Sequence, residues 1–559
     1  MGTPIISLAA AIVLAGIQPS RGGVDEFAAI RQARKQVAER PRRIIYNNDG
    51  YDIMEGATPE RFLANRLGQI PGTQVDTVFY CTGVTGLFTS HLPRVGETLD
   101  EFVTDSSPET DIGRRDALRA MKAAGHDPLI VAIDFCHENQ IEIFFSLRMN
   151  DIHDSMPHSR PFLPRWKRQR PHVMLGRDGD FDRYPAHDPR AWWSSLDYEL
   201  PEVRDYVFRI LEDVCGRYDV DGLELDFLRH PKFFRPTLTL QPAEPGHSEA
   251  MNDLLRRIRT MTDEVARRRG RPLPIACRVP LSLQCAAALG LDVVRWVKED
   301  LCDMLVVGGG YVPMAMFDDV REMAAFGHGH GVPVYACISA SALDTRNEWA
   351  ENWRAAAMNI WQAGADGVYL FNFVPDRPYK LLSQLGGTDT LKGLDKTYGV
   401  DHVVVDRFGG YQRPGIVAAG RLPVALPPDG WAQVKLPVGE DVAANAPSGK
   451  TATTRLRVRV SSFASGDRIV ARLNGLVLGE AKPATPPEGT DAPPTAEGLL
   501  SQVGRSRPRT PPANTWLEID VDPDKVAVGN NLVALRFSSS RNVDQPMSWD
   551  ELELVLRYR

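Results

Sequence analysis

Two carboxylates separated by one residue, Glu224 and Asp226, lie in an apolar run that has the length of a β-strand. Side chains alternate between the two faces of a strand, so both carboxylates lie on one face. The other face carries Leu223, Leu225 and Phe227. Two neighbouring carboxyl groups repel each other when both are ionised, so they titrate at different pH values. One can then act as a general acid while the other acts as a nucleophile or base.

Neighbours on one strand do not flank a single scissile bond, so acid–base chemistry here needs a second carboxylate from another strand. Asp49 and Asp151 come directly after two other strand-like runs and are the candidates. We predict that Asp226 is the principal catalytic carboxylate because it stands at the end of its run. Asp49, Glu224 and Asp151 compete for the role of its partner.

Further polar residues near the ends of strand-like runs are candidates for binding a substrate. In a closed parallel barrel the active site forms at the carboxyl ends of the strands, so polar side chains there are functional more often than those elsewhere. The predicted substrate-binding residues are Asn48, Arg148, Asn150, Asp151, Arg229, His230, Arg278, Tyr311, Asn372 and Trp193. A structural alternative is that Glu224 pairs with Arg148 or Arg278 in a buried ionic network, which also perturbs pKa values.

Trp193 belongs to a long connection, residues 152–198, that is rich in aromatic and arginine side chains. Connections of this length are often functional. Aromatic rings stack on the apolar faces of sugars, and arginines bind hydroxyls or an acidic group, so the composition suits a saccharide cleft. The alternative is that Trp192 and Trp193 pack the connection onto the rest of the domain.

Metal and cofactor signals are weak. Asp151, His153, Asp154 and His158 have side chains of the ligand type, but their spacing matches no familiar metal motif. The acidic triplet in residues 178–182 lacks the glutamate that an EF-hand calcium loop requires. No Cys/His pattern for zinc, GxGxxG turn or GxSxG elbow is present in the sequence. We therefore predict no essential metal and no cofactor.

The chain between residues 42 and 373 alternates short β-branched or aromatic runs with amphipathic helical patterns, which indicates βα units around a parallel sheet. Eight strands are predicted, followed in most cases by helices such as 201–218 and 352–363. Eight such units are what a (β/α)8 TIM barrel requires. The predicted strands are 43–48, 75–81, 141–147, 222–227, 274–279, 304–308, 332–338 and 367–373.

The pattern changes after residue 406 to short strands and turns with little helix, which predicts an all-β sandwich over residues 406–559. Asn474-Gly475 between two apolar runs is a strong hairpin signal. The predicted core of this module comprises Val458, Ile469, Leu473, Trp516, Ile519, Leu535 and Phe537. No exposed aromatic row is evident, so we expect the module to brace the barrel of residues 24–405.

Residues 1–23 contain an apolar stretch, Ile5 to Ile17, of the length of a signal-peptide core, although no Lys or Arg precedes it. The sequence thus predicts a secreted or periplasmic protein, and no other stretch has the length and apolarity of a membrane span. A formal net charge of -7 gives no general electrostatic reason to bind nucleic acid. The oligomeric state is not predicted.

The segment Asp221-Gly222-Leu223-Glu224-Leu225-Asp226 resembles the acidic fourth strand of chitinase-like barrels, whose catalytic glutamate aligns with Leu228 here. Together with His230 it is also similar to the fourth strand of the alpha-amylase family, whose nucleophile aligns with Asp226. As a whole, residues 42–400 resemble secreted glycoside hydrolase-like barrel proteins. This resemblance implies a carbohydrate substrate and cleavage of O-glycosidic bonds by strand-end carboxylates.

Two other functions stay open. Leu228 and Arg278 stand where the familiar families have carboxylates, which favours a carbohydrate-binding barrel without catalysis. A polysaccharide lyase is the third hypothesis, with His230 or Tyr311 as the base and an arginine neutralising a uronate.

Overall fold

The computed structural model describes residues 23–50, 53, 57–83, 88–157, 162–184, 188–308, 317–339, 349–373, 379–400, 422–485, 514–539 and 547–559. The predicted signal segment, up to residue 22, and the predicted site residue Tyr311 lie outside these ranges. His158, one of the ligand-type side chains of the long connection, also lies outside them.

Eight parallel strands close into a barrel, which confirms the predicted fold. Each of the eight strands pairs with the next along the chain, and the first also pairs with the eighth. The strands are β1 Ile44–Asn48, β2 Val75–Cys81, β3 Glu142–Arg148, β4 Gly222–Asp226, β5 Ile275–Val279, β6 Met304–Val307, β7 Val334–Ser339 and β8 Gly367–Phe371. Two short strands, Phe88–Thr89 and Glu97–Thr98, pair with each other in the connection between β2 and β3.

The barrel encloses a packed core rather than a pore, because alternate residues of every strand fill its interior. The interior side chains are Ile45, Phe79, Phe144, Ala276, Met304, Val306, Tyr335, Cys337, Tyr369 and Phe371, with Ala38 beside them. The intervening residues of the strands, such as Leu223 and Leu225 of β4, join a second and larger cluster against the helices.

Helices cover the outside of the barrel through apolar stripes. In the helix Pro201–Arg217, four apolar residues recur at helical spacing and are buried: Val203, Val207, Ile210 and Val214. The helices are α1 Gly23–Ala38, α2 Pro59–Arg66, α3 Glu109–Ala123, α4 Pro128–Glu138, α5 Arg165–Arg168, α6 Asp180–Arg183, α7 Pro201–Arg217, α8 Pro245–Arg269, α9 Leu283–Ala288, α10 Val293–Lys298, α11 Phe317–His328, α12 Trp349–Gln362 and α13 Thr388–Leu391. Within the described ranges, none of them combines the length and apolar composition needed to cross a bilayer.

The C-terminal module is a sandwich of two antiparallel sheets, as predicted. The first sheet has the order β9-β18-β12-β16-β15, with β10 also on β18, and the second has the order β11-β17-β13-β14. Asn474-Gly475 joins β13 to β14, both residues with positive φ, as the hairpin signal predicted. The strands are β9 Lys396–Gly399, β10 Val424–Leu426, β11 Trp431–Val438, β12 Ala452–Ser461, β13 Asp467–Leu473, β14 Leu476–Glu480, β15 Lys482–Ala484, β16 Asn514–Val521, β17 Gly529–Ser539 and β18 Met547–Tyr558.

The sandwich begins before the predicted boundary at residues 405/406, since β9 already pairs with β18. Polar contacts join the module to the barrel: Asp318 of α11 lies 3.3 Å from Lys435 Nζ, and Asn530 donates to it at 2.8 Å. Glu351 of α12 forms an ion pair of 2.7 Å with Arg557. The bracing role of the module stays a prediction.

Candidate active site

Asp226 ends β4 inside the barrel mouth and is almost completely buried. Its Oδ1 accepts the backbone N–H groups of Leu228 at 2.9 Å and Arg229 at 3.1 Å, so the turn after β4 grips the carboxylate. Its Oδ2 accepts from Arg278 Nη1 at 2.9 Å, across the pairing of β4 with β5. Three N–H donors fix the orientation of this carboxylate, and Arg278 balances its charge.

Glu224 lies two residues earlier on the same face and is fully buried. Tyr369 on β8 donates its hydroxyl to Glu224 Oε1 at 2.7 Å. Burial, and then the negative charge of Asp226, raise the pKa of Glu224 to about 8, although Arg278 and the hydroxyl of Tyr369 oppose the shift. Its Oε2 is buried and has no hydrogen-bond partner among the described residues. Glu224 is therefore a neutral acid at neutral pH, held beneath Asp226.

Arg148 ends β3 and joins the two other candidate carboxylates. Its Nη2 donates to Asp49, which follows β1, and its Nη1 donates to Asp151 Oδ2 at 3.2 Å. Asp151 is completely buried, whereas the Asp49 side chain is 14% exposed. Strand ends β1, β3 and β4 thus bring the predicted carboxylates together at one end of the barrel, as their sequence positions led us to expect.

His153 continues this chain of contacts. Its backbone N–H donates to Asp151 Oδ1 at 3.0 Å, and its Nδ1 lies 2.7 Å from the same oxygen. Arg229 Nη2 lies 2.9 Å from His153 Nε2, which must then accept, so Nδ1 carries the proton and donates to Asp151. Burial alone raises the pKa of Asp151, but the hydrogen bond from His153 and the charge of Arg148 hold it well below its usual value.

His230 packs edge-on against His153, with 4.9 Å between the ring centres. Burial, and then the positive charge of Arg229, hold the pKa of His230 well below its usual range. The ring is therefore neutral at neutral pH. Its Nδ1 is buried and has no hydrogen-bond partner in the described part of the chain.

Asp151, His153 and His230 offer one donor atom each within 4.8 Å of one another, which is close enough to test for a metal site. Both nitrogens of His153 already have partners, and Arg148 and Arg229 contact the same cluster. Two guanidinium charges at this distance oppose a divalent cation. The donor set therefore fits a metal poorly, and the predicted absence of a metal stays a prediction.

Asn150 and Trp193 lie in the expected region, but their polar groups serve the protein backbone. The Asn150 amide donates to the carbonyls of Leu196 and Lys232, and its Oδ1 accepts from Leu196 N at 2.9 Å. Trp193 is fully buried and donates its Nε1 to the Ser155 carbonyl at 3.2 Å. Both residues fasten the connection between β3 and β4, and Trp192 is equally buried. Neither tryptophan presents a ring face to a sugar.

Asn48 and Asn372, the other described residues of the prediction, lie at the same end of the barrel. Asn48 is buried at the end of β1. Asn372 follows β8 with φ of +49°, and its backbone N–H donates to Asn47 Oδ1 at 3.3 Å. The left-handed conformation is one that asparagine tolerates better than most residues.

Sequence reasoning omitted His153, Tyr369 and Phe371 from the site. The Arg278 guanidinium lies 3.8 Å from the centre of the Phe371 ring, so an aromatic face supports the cation that orients Asp226. The signal for Tyr369 and Phe371 was the alternation of β8, which places both on the inward face. The signal for His153 was its spacing two residues beyond Asp151.

No family model and no curated protein matches the chain. Among solved structures it is similar to alpha-L-fucosidase isoenzyme 2 from Paenibacillus thiaminolyticus, with 13% identity and a TM-score of 0.41, over 62% of this chain and 49% of that one. It is similar to the PgaB (BpsB) glycoside hydrolase domain from Bordetella bronchiseptica, with 11% identity and a TM-score of 0.35, over 62% and 99%. It is also similar to a family GH18 chitinase from Chromobacterium violaceum, with 10% identity and a TM-score of 0.32, over 91% and 90%.

These solved structures are glycoside hydrolases, and the chain spans about half the length of the fucosidase. Superposition at these TM-scores is too loose to transfer an activity or a residue role.

Proposed function

We propose that the protein is an exported enzyme that hydrolyses O-glycosidic bonds in an oligo- or polysaccharide, with Asp226 as its principal catalytic carboxylate. The observation that carries the proposal is the convergence of Asp226 with Asp49 and Asp151 at the strand ends, each tied to a buried arginine. Paired carboxylates are the working groups of most glycoside hydrolases. A carboxylate held rigidly by three donors is suited to stabilise an oxocarbenium-like transition state.

Asp49 is the best supported partner for Asp226. Both oxygens of Asp151 are engaged, Oδ2 by Arg148 and Oδ1 by His153. Glu224 is fully buried. Asp49 follows β1 directly and keeps part of its side chain exposed. It is therefore the member of the set that a substrate or a water molecule reaches most readily.

Glu224 takes a positioning role in this proposal. As a neutral acid beneath Asp226, Glu224 adds no second buried negative charge. Arg278 then has only the charge of Asp226 to neutralise. Arg148 neutralises Asp49 and Asp151 together while it holds the end of β3 near β1. The two arginines let two carboxylates approach one bond without strong mutual repulsion.

The test is a screen of the purified full-length protein and its Asp226→Asn variant against neutral, uronic, sulfated and sialylated glycans. We expect new reducing ends from at least one glycan with the unmodified protein, and none above background with the variant. The anomer that forms first, read by NMR, separates retention from inversion. Binding without any release of product supports a carbohydrate-binding barrel instead and overturns the proposal.

A polysaccharide lyase is the second candidate, and His230 favours it. A neutral imidazole beside an arginine is what abstraction of a proton next to a uronate carboxylate requires. His230 is neutral and follows Arg229 directly, but its lowered pKa makes it a weak base and its 3% exposure places it deep in the protein. The same screen decides: unsaturated products that absorb in the near ultraviolet, without consumption of water, identify a lyase.

A further inference from the structure

The outer face of the sheet β11-β17-β13-β14 carries an excess of positive charge. Alternation places one set of residues from each strand away from the apolar core, and these side chains are exposed or half-buried. The outward cations are Lys435, Arg468, Arg472 and Arg536. Two carboxylates reach this face: Glu480 lies 4.0 Å from Arg468, and Asp318 of the barrel lies 3.3 Å from Lys435.

Arg472 and Arg536 share one aromatic ring. Their guanidinium carbons lie 3.9 Å and 5.4 Å from the centre of the Trp431 ring, and Trp431 is the direct cross-strand neighbour of Arg536. Among the described residues, neither arginine has a carboxylate within 4.0 Å. The Nε of Arg472 is buried and lacks a hydrogen-bond partner in the same part of the chain. Two like charges therefore stand close together, held by an aromatic face and not by acids.

The outer face of the other sheet shows what a neutralised surface looks like in the same module. Arg455 lies 2.8 Å from Asp520 and 3.1 Å from Glu518, its neighbours on β16. Arg457 stacks at 5.2 Å on the ring of Trp516. Trp516 was predicted to belong to the core between the sheets, but it is buried on this outward face instead. Arginines stand over a tryptophan on both faces, but acids surround them on one face and are sparse on the other.

We propose that the face around Trp431, Arg472 and Arg536 binds an acidic polysaccharide, one that carries carboxylate or sulfate groups on its sugars. Guanidinium groups bind such anions through paired hydrogen bonds, and the anion relieves the repulsion between the two arginines. The exposed parts of the indole and of Gln433 beside it supply contacts to the sugar itself. This binding site lies on the sandwich and goes beyond the proposed hydrolysis at the barrel mouth.

The position of the face fits an extended ligand. The barrel contacts this sheet near Lys435 and Asn530. Trp431 and Arg536 are paired neighbours that lie further along the same two strands, away from this contact. Between them, Gln433 and Leu532 continue the outward row, and Leu532 is 40% exposed. A polymer chain can therefore lie along the sheet while the barrel stays in place.

The test measures binding of the full-length protein to polygalacturonate, dextran sulfate and uncharged dextran by affinity electrophoresis. We expect binding to one or both charged polymers that weakens with added salt, and none to dextran. The two charged polymers distinguish carboxylate from sulfate recognition. The double variant Arg472→Gln/Arg536→Gln should bind at least about tenfold more weakly, since each lost charged hydrogen bond is worth that much.

The matched control is Arg455→Gln/Arg457→Gln, which removes the same charge from the other face of the sandwich. It should bind as the unmodified protein does, and circular dichroism checks that both variants are folded. Equal weakening in the two variants would show attraction to net charge alone and would overturn the proposal. Binding to uncharged dextran at the same strength, or no binding to either charged polymer, would overturn it too. The hydrolysis test is independent, because Asp226→Asn should leave this binding unchanged.

Discussion

The two ends of the barrel each bury a network of arginines and carboxylates, and the networks differ in which of their buried polar atoms have hydrogen-bond partners. At the amino-terminal end, Asp303 accepts from Arg34 at 2.6 Å through Oδ1, and from Arg259 at 2.5 Å and the Ile275 backbone at 2.7 Å through Oδ2. Arg34 also reaches Asp263 at 2.6 Å. This network fastens α1 and α8 to the starts of the strands.

At the mouth, one carboxyl oxygen and one imidazole nitrogen are left without partners in the described part of the chain. Glu224 Oε2 and His230 Nδ1 are buried and have no partner among the described residues. A buried polar atom without a partner costs about 1 to 3 kcal/mol of stability. The comparison teaches that a buried ion pair does not by itself mark a functional site. Strand-end position together with unpartnered carboxyl and imidazole atoms is what separates the mouth from the opposite end in the described structure.

The largest expected effect is on catalysis at the mouth. Asp226→Asn keeps an oxygen to accept from the Leu228 and Arg229 backbones, but it removes the charge that faces Arg278. We expect kcat to fall by about a thousandfold, within the range of catalytic acid–base residues, while the protein still folds. Kinetics on the glycan found in the screen, with circular dichroism, provide the measurement. Near-normal kcat would remove Asp226 from the mechanism.

The opposite end should respond in stability instead. Asp303→Asn leaves Arg34 and Arg259 with less negative charge nearby, and breaking a buried ion pair costs about 3 to 5 kcal/mol. We expect a lower midpoint of denaturant unfolding and unchanged kcat for the molecules that remain folded. If Asp303→Asn were as stable as the unmodified protein but had a reduced kcat, the proposed difference between the two ends would be wrong.

The sequence was informative where one strand suffices for the argument. The alternation of β4 placed Glu224 and Asp226 inward, and the eight runs predicted eight strands, because burial on a strand repeats every second residue. The resemblance to glycoside hydrolase-like barrels implies an activity that the fold alone does not, and that activity stays a proposal.

The sequence was uninformative where contacts join distant segments. The Tyr369 hydroxyl reaches Glu224 only because the barrel closes, and the burial of Trp192 and Trp193 depends on how a long connection folds over the strand ends. The commitment of Asn150 to backbone carbonyls has the same origin. Such packing depends on tertiary geometry that no local pattern encodes.

The pH dependence of stability sharpens the comparison, because Glu224 belongs to the mouth alone. Its pKa is raised from 4.5 to about 8 in the folded protein. Between these values the unfolded chain loses a proton that the folded chain keeps. The free energy of unfolding therefore falls as pH rises through this window and levels off above it. Glu224→Gln should show a flatter profile in denaturant unfolding at several pH values across the window. An unchanged slope would contradict the burial of a neutral acid.

The smallest expected effect comes from a matched pair of hydroxyl deletions, Tyr369→Phe at the mouth and Tyr335→Phe at the opposite end. Tyr369 donates to Glu224, and Tyr335 lies against Arg42. Each loss should cost about 1 kcal/mol of unfolding free energy, the usual worth of one hydrogen bond. The Tyr369 hydroxyl opposes the rise in the pKa of Glu224, so its removal should move the upper end of the pH window further up. Tyr335→Phe should leave the window in place, because the Tyr335 hydroxyl lies against Arg42 and not against Glu224. If both variants moved the window equally, the shift would report general loosening of the barrel and not the local contact at Glu224.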